Sequence, residues 1–298
     1  MTKRAWRAVA VIAVPLLALA ACGGKPAESA GGDKNVTFGV VDGWTDQSDT
    51  AAVLKVILEE NGYTAKIIKV GDNTPMYSGL ANNEINVLSS SWKERTQADY
   101  WIRYGHDLDD IGTYYRGAKS FLAVPDYTDV RSITDLPSHA AEFGNQIIGI
   151  EPGAGLTAAT EDAVMPAYGL QDFKLATSST ATMIAQLKQQ TAAKKPIVVT
   201  MWKPFWANQA FPLRALEDPK NAYRPEDLHV VANKDWAAAH PDVVSMLASF
   251  KLDDTQFASL EDTIVNKFGP GKEDEGAKAW LKANPGFAEA LAAHLTKK

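Results

Sequence analysis

Trp44, Trp92 and Trp202 each follow a short apolar run, and each has polar neighbours: Asp42 and Thr45, Ser91 and Lys93, and Lys203. Indole faces gathered at one place suit a cation that cannot donate hydrogen bonds. A trimethylammonium group presents a diffuse charge wrapped in methyls, and each desolvated indole face holds it by about 2 kcal/mol or more. A primary ammonium or guanidinium ligand would call for carboxylates instead. A second stretch, residues 147–160, reads IIGIEPGAGLTAAT: an apolar run, a Pro-Gly-Ala-Gly turn, then small residues suited to starting a helix. Pro152, Gly153 and Gly155 give the backbone room to turn, so the first free N–H groups of the helix, near Gly155 and Leu156, can point at a carboxylate or phosphate. Taken alone, the same stretch also reads as an ordinary strand-to-helix connection.

The elements that must carry these residues alternate. Residues 36–41 read as a strand, 42–49 as a polar loop, and 50–61 as a helix with Ala52, Val53, Val56 and Ile57 at helical spacing before Gly62. Strands follow at 66–70 and 85–88, with a helix at 75–82 between them and a polar helix at 96–104 after them. Residues 121–125 read as a strand ending at Pro125, and residues 126–136 as a turn and short helix where the chain crosses to a second lobe. The pattern then repeats: strand 147–150, helix 156–168, strand 174–176, helix 179–190, strand 196–201. A strand at 229–232 and helices at 241–250, 255–268 and 272–294 return to the first lobe. Alternation of this kind predicts an α/β fold with parallel sheets, in which ligands lie outside the carboxyl ends of strands. The three strand-end tryptophans and the Gly-rich turn then face one crevice. Trp101, Trp236 and Trp280 fall in helical stretches and read as structural.

The N-terminus sets the compartment. Lys3, Arg4 and Arg7 precede an apolar run at 8–18 too short to span a bilayer, followed by Leu-Ala-Ala-Cys22. This predicts a signal peptide over 1–21 and a bacterial lipobox in which Cys22 carries the lipid. Cys22 is the single cysteine, so no intrachain disulfide forms. Residues 22–35 are rich in Gly, Ala, Ser and Lys and read as a flexible tether to the membrane. Hydrophobic residues make up 46% of the chain, enough for the roughly 260 residues after the tether to bury a full core. Removing the three signal-peptide bases from 30 Lys and Arg leaves 27 against 36 acids, a balance of −9 that excludes a nucleic-acid partner.

Catalytic readings find no support. The five histidines lack metal-ligand spacing, so no metal and no cofactor are expected. Ser89, Ser90 and Ser91 lie in no nucleophile elbow, and a secreted α/β enzyme would need an acid, base or nucleophile constellation that is absent from the sequence. A cationic box and an anion cradle together describe a small betaine, with both charges compensated without a charged side chain. Tyr114 and Tyr115 are candidates for the cleft edge.

The segments VDGWTDQSD, NVLSSSW, LAVPDY, IIGIEPGAGL, PIVVTMWKPFW and LEDPKNAY carry a resemblance over the whole body of the chain. It resembles the glycine betaine substrate-binding proteins of ABC importers, the OpuAC family. The resemblance implies a two-lobed periplasmic-binding-protein fold of type II, with the ligand in the interlobe cleft. The lobes would be 36–122 with 218–298, and 123–217. It also implies a monomer that passes its ligand to a membrane permease. Three Trp, here Trp44, Trp92 and Trp202, would box the ammonium, and the backbone N–H groups of Gly155 and Leu156 would hold the carboxylate, with Gly153 beside them. Family members read Trp-Leu-Pro-x-Thr-His after the second box residue. Here the run is Trp92-Lys93-Glu94-Arg95-Thr96-Gln97, so Gln97 replaces a chargeable side chain with a neutral donor. Choline, carnitine and other betaines stay open as ligands, as does a sensor role without transport.

Overall fold

The computed structural model describes residues 33–295; the expected signal peptide, Cys22 and most of the tether lie outside the described residues. Strand β1 (Asn35–Val41) is buried along nearly its whole length, as a strand covered on both faces must be. It pairs in parallel with β2 (Thr64–Val70) and β3 (Val87–Ser91). Helix α1 (Thr45–Glu60) links β1 to β2, and α2 (Asn73–Ala81) links β2 to β3, capped at its start by the Asp72 side chain. After α3 (Ala98–Tyr104) comes β4 (Leu108–Pro125), an 18-residue strand.

β4 belongs to two sheets. Up to Ala118 it runs antiparallel to β9 (Glu226–Asn233), which in turn pairs with β3. From Lys119 onward it runs antiparallel to β7 (Val199–Lys203), and at its end to β8 (Leu213–Ala215). The second sheet is completed by β5 (Gln146–Ile148), parallel to β7, and β6 (Lys174–Ala176), parallel to β5. Between them lie α4 (Leu136–His139), α5 (Gly155–Ala159), α6 (Met165–Tyr168), α7 (Thr180–Ala192) and α8 (Ala207–Ala210). Past β9, helices α9 (Lys234–Ala239), α10 (Pro241–Ser249), α11 (Asp254–Glu261), α12 (Glu273–Ala283) and α13 (Pro285–Ala292) return to the first sheet. The result is a two-lobed α/β architecture, each lobe with its own sheet.

Three expectations are corrected. Residues 42–49 are not a polar loop: α1 starts at Thr45, and Thr45, Asp46, Gln47 and Asp49 are buried in its first turns. Their polarity is spent inward, on hydrogen bonds at the cleft, so a rule that equates polar runs with exposed loops misplaces them. The strand expected at 121–125 is the last part of β4. Its earlier part was hidden because register shifts at Asp110/Gly112, Thr113/Tyr115 and Tyr115/Ala118 break the alternation of side chains. The helix expected at 156–168 is α5, a π-helical turn over Thr160–Val164, and α6, ended by Gly169 at φ 65°.

Candidate functional site

A small cavity lies between the two lobes. Trp44, Trp92, Trp202, Gly155 and Leu156 all line it, joined by Asp46, Thr96, Gln97, Ser120, Ile150 and Ala154. Trp44 stands directly before α1, Trp92 directly after β3, and Trp202 within β7 near its end. Each is buried. Trp44 and Trp92 are pinned by their edges, Trp202 by one ring face. The Trp92 Nε1–H donates to Asp46 Oδ2 at 3.1 Å, and the Trp44 Nε1–H donates to Glu151 Oε2 at 2.9 Å. Trp202 stacks on Phe205 with centroids 3.9 Å apart. An indole that donates its N–H to a carboxylate gains electron density, which favours a cation on its face.

The cradle is built by a turn that closes on Glu151. The Ala154 N–H donates to the Glu151 carbonyl at 3.0 Å, and the Thr157 hydroxyl donates to the same oxygen at 2.8 Å. Among the described residues, the amides of Gly155 and Leu156 donate to no other group, as expected for the first turn of a helix. Neither Gly153 nor Gly155 adopts a left-handed conformation, so the turn itself does not require glycine. The requirement comes from approach. A Cβ on Gly155 would fall 1.7 Å from the Thr96 carbonyl oxygen, and one on Gly153 would fall 2.6 Å from the Asp72 carboxylate. Thr96 and Asp72 belong to the other lobe, so these two glycines allow the lobes to meet.

Thr96 is itself held firmly. Glu226, buried on β9, accepts from the Arg95 N–H at 3.1 Å, the Thr96 N–H at 3.0 Å and the Thr96 hydroxyl. Gln97 does line the cavity, but its amide is largely committed. Its oxygen accepts from the Tyr77 hydroxyl at 2.8 Å and the Trp92 N–H at 2.9 Å, and its nitrogen donates to Asn73 at 2.9 Å. It fixes the Trp92 backbone. Tyr114 stands behind the box, donating to Ser90, which donates to Asp46 at 2.7 Å. Tyr115 does not line the cavity; its hydroxyl donates to Asp254 at 2.5 Å. Gly153 also lies outside the lining, its carbonyl accepting from Tyr100 and Asn73 across the cleft.

Asp46 lines the cavity and is a residue that the sequence reading did not single out. Burial raises its carboxyl above the ordinary range, against hydrogen bonds from Ser90 and Trp92 that favour the charged form. Two further acids lie behind it, neither with a basic partner among the described residues. Burial, then the charge of Glu261, raises Asp49 well above the usual range. Burial raises Glu261 to about 8, with the Thr45 hydrogen bond opposing and the charge of Asp46 adding. The folded protein thus keeps a proton on Glu261 that an unfolded chain, titrating at an ordinary 4.5, has released. Stability therefore falls as pH rises from about 4.5 to about 8 and levels off above. The melting temperature by scanning calorimetry is expected to decline across that window, with a flatter profile in Glu261→Gln. An identical slope in the variant would refute the assignment.

The family described as the substrate-binding domain of ABC-type glycine betaine transport systems matches residues 34–283. The glycine betaine/carnitine transport binding protein GbuC of Listeria monocytogenes is 37% identical over 145 residues, 47% of this chain and 46% of that protein, so this match spans about half of the relative's length. The glycine betaine/proline betaine-binding periplasmic protein of Escherichia coli is 22% identical over 281 residues, 80% of this chain and 84% of that protein. Lactococcal OpuAC, solved closed with glycine betaine, superposes with a TM-score of 0.79 at 29% identity, covering 87% of this chain and 99% of that one. An ABC-transporter choline binding protein in complex with choline gives the same TM-score at 26% identity, covering 89% and 94%. The two-lobed fold is accordingly that of the type II periplasmic binding proteins, and the chain belongs to the family of substrate-binding domains of ABC-type glycine betaine transport systems.

Proposed function

We propose that the protein captures glycine betaine outside the cytoplasm, between the indoles of Trp44, Trp92 and Trp202 and the amides of Gly155 and Leu156, and delivers it to an ABC permease. One observation carries the reading: one cavity is lined by three buried indoles and by Gly155 and Leu156, whose amides donate to no other group among the described residues. The indoles meet a methylated ammonium by cation–π attraction, and the amides meet a carboxylate at the positive end of a helix. No nucleophile or metal is needed. The body acts as a monomer, held to the membrane by a lipid on Cys22.

A second reading has its own support. Asp46 adds a carboxylate to the cavity wall, which suits an organic cation such as choline. Choline has no carboxylate, so it leaves the cradle amides unpaired at about 1–3 kcal/mol if they stay dry. Glycine betaine is therefore ranked first. Isothermal titration with glycine betaine, choline and carnitine tests both, and the expected outcome is micromolar or tighter binding of glycine betaine without turnover. Trp92→Ala and Trp202→Ala should each weaken that binding by roughly 1–2 kcal/mol or more. Silence toward all three ligands, or unchanged affinity in both variants, would sink the reading.

A further inference from the structure

Glu151 does not line the cavity, yet its groups reach both halves of the site. Its carbonyl closes the turn that presents Gly155 and Leu156, through the Ala154 amide and the Thr157 hydroxyl. Its buried carboxylate accepts the Trp44 Nε1–H at 2.9 Å, the Thr180 hydroxyl at 2.9 Å and the Thr180 N–H at 2.7 Å. Thr180 opens the 13-residue helix α7, whose positive end favours a carboxylate at that place. Glu151, Thr180 and the turn all belong to the lobe of β5, whereas Trp44 belongs to the lobe of β1. Trp92, by contrast, is pinned within its own lobe, by Asp46 of α1.

We infer that Glu151 is a positioning residue that couples the two halves of the site, holding the Trp44 indole across the cleft so that the aromatic box is completed only when the cradle docks. The inference rests on the proposed binding of a quaternary ammonium ligand in this cavity. A carboxylate fixed by α7 gives the Trp44 edge a single orientation, with the ring face left to the ligand. With the lobes apart, that edge has no such acceptor, and Trp44 is free to turn. The first lobe then meets the ammonium with a partial box, and arrival of the carboxylate at Gly155 and Leu156 brings Glu151 to Trp44. Recognition of the anionic end thereby tightens recognition of the cationic end, through the Trp44 N–H at the back of the site, which donates to Glu151 at 2.9 Å and also reaches the Thr180 hydroxyl oxygen at 3.2 Å.

A double-mutant cycle on the full body tests this coupling. Glu151→Leu, a change of similar size that leaves no acceptor, is expected to weaken glycine betaine binding by roughly tenfold in the unaltered background, the loss of a buried hydrogen bond to a charged acceptor. In a Trp44→Phe background, where the indole N–H is gone, the same change should cost less than about twofold. Equal costs in the two backgrounds would overturn the inference, because they would show that Glu151 acts only by shaping the turn or capping α7. Indole ¹⁵N–¹H spectra give a second readout. A downfield indole resonance, absent from Trp44→Phe, should appear on adding glycine betaine and fail to reach the same position in Glu151→Leu. The same resonance in Glu151→Leu would also overturn the inference. Binding with no coupling removes only the role of Glu151, whereas no binding by the unaltered protein removes the ligand assignment itself.

Discussion

Gly155→Ala lowers the affinity for glycine betaine by about a hundredfold or more and leaves the melting temperature nearly unchanged. The added methyl would sit 1.7 Å from the Thr96 carbonyl oxygen, well inside van der Waals contact. Neither side can yield cheaply. Thr96 is fixed by two N–H groups and a hydroxyl bonded to the buried Glu226 carboxylate, and Gly155 is fixed by the turn on Glu151. Overpacking against backbone costs about 3 kcal/mol at the upper end of the usual range, close to a hundredfold in binding. The cost falls on closure, since each lobe folds around its own sheet and alanine suits the first turn of a helix better than glycine does. Titration calorimetry beside a thermal melt separates the two. Wild-type affinity in the variant would show that the lobes do not approach at this point when the ligand is bound.

Asp46→Asn is the second large effect. Asparagine is nearly isosteric, and its oxygen can still accept from Trp92, so the box keeps its shape while the charge is lost. Removing one member of a buried charge pair typically costs 2–5 kcal/mol, so choline binding should fall by roughly thirtyfold or more. Glycine betaine carries its own carboxylate, which already offsets part of its ammonium charge, and should lose less. The ratio of the two affinities, measured by competition, therefore rises in favour of glycine betaine. Unchanged choline affinity in Asp46→Asn would remove Asp46 from the recognition of the cation.

The tryptophans were legible because each stands at the end of an apolar run whose strand character is plain, and strand ends in α/β folds face the crevice. The turn that brings Gly155 and Leu156 to the cavity was legible for the same reason. Asp46 was not, because the run around it contains four polar residues between Thr45 and Ser48 and reads as solvent-facing. In the folded chain those residues form the first turn of α1, and their partners, Ser90, Trp92 and Glu261, come from elsewhere in the sequence. Ser120 was hidden differently. It lies on β4 beside Trp202, just ahead of the apolar run 121–125 that marks the strand in the sequence. The glycines at 153 and 155 were legible as a turn, but their reason was not, since it is set by Asp72 and Thr96 on the opposite lobe.

The strand shared by both sheets decides what kind of movement can part the lobes. β4 passes from β9 to β7 between Ala118 and Lys119 without a break, so sliding one sheet along the other would shear a continuous extended backbone. Pulling them straight apart would stretch it. What remains is swinging about a line near that handover and the return segment ahead of β9, in the manner of a book whose spine is one uninterrupted thread. A swing moves distant points most, so the gap opens widest at the rim and least beside Ser120, which follows Lys119 directly and lines the inner wall of the cavity. On the proposed function, ligand exchange is therefore expected at the rim, with the Ser120 end of the cavity the least displaced.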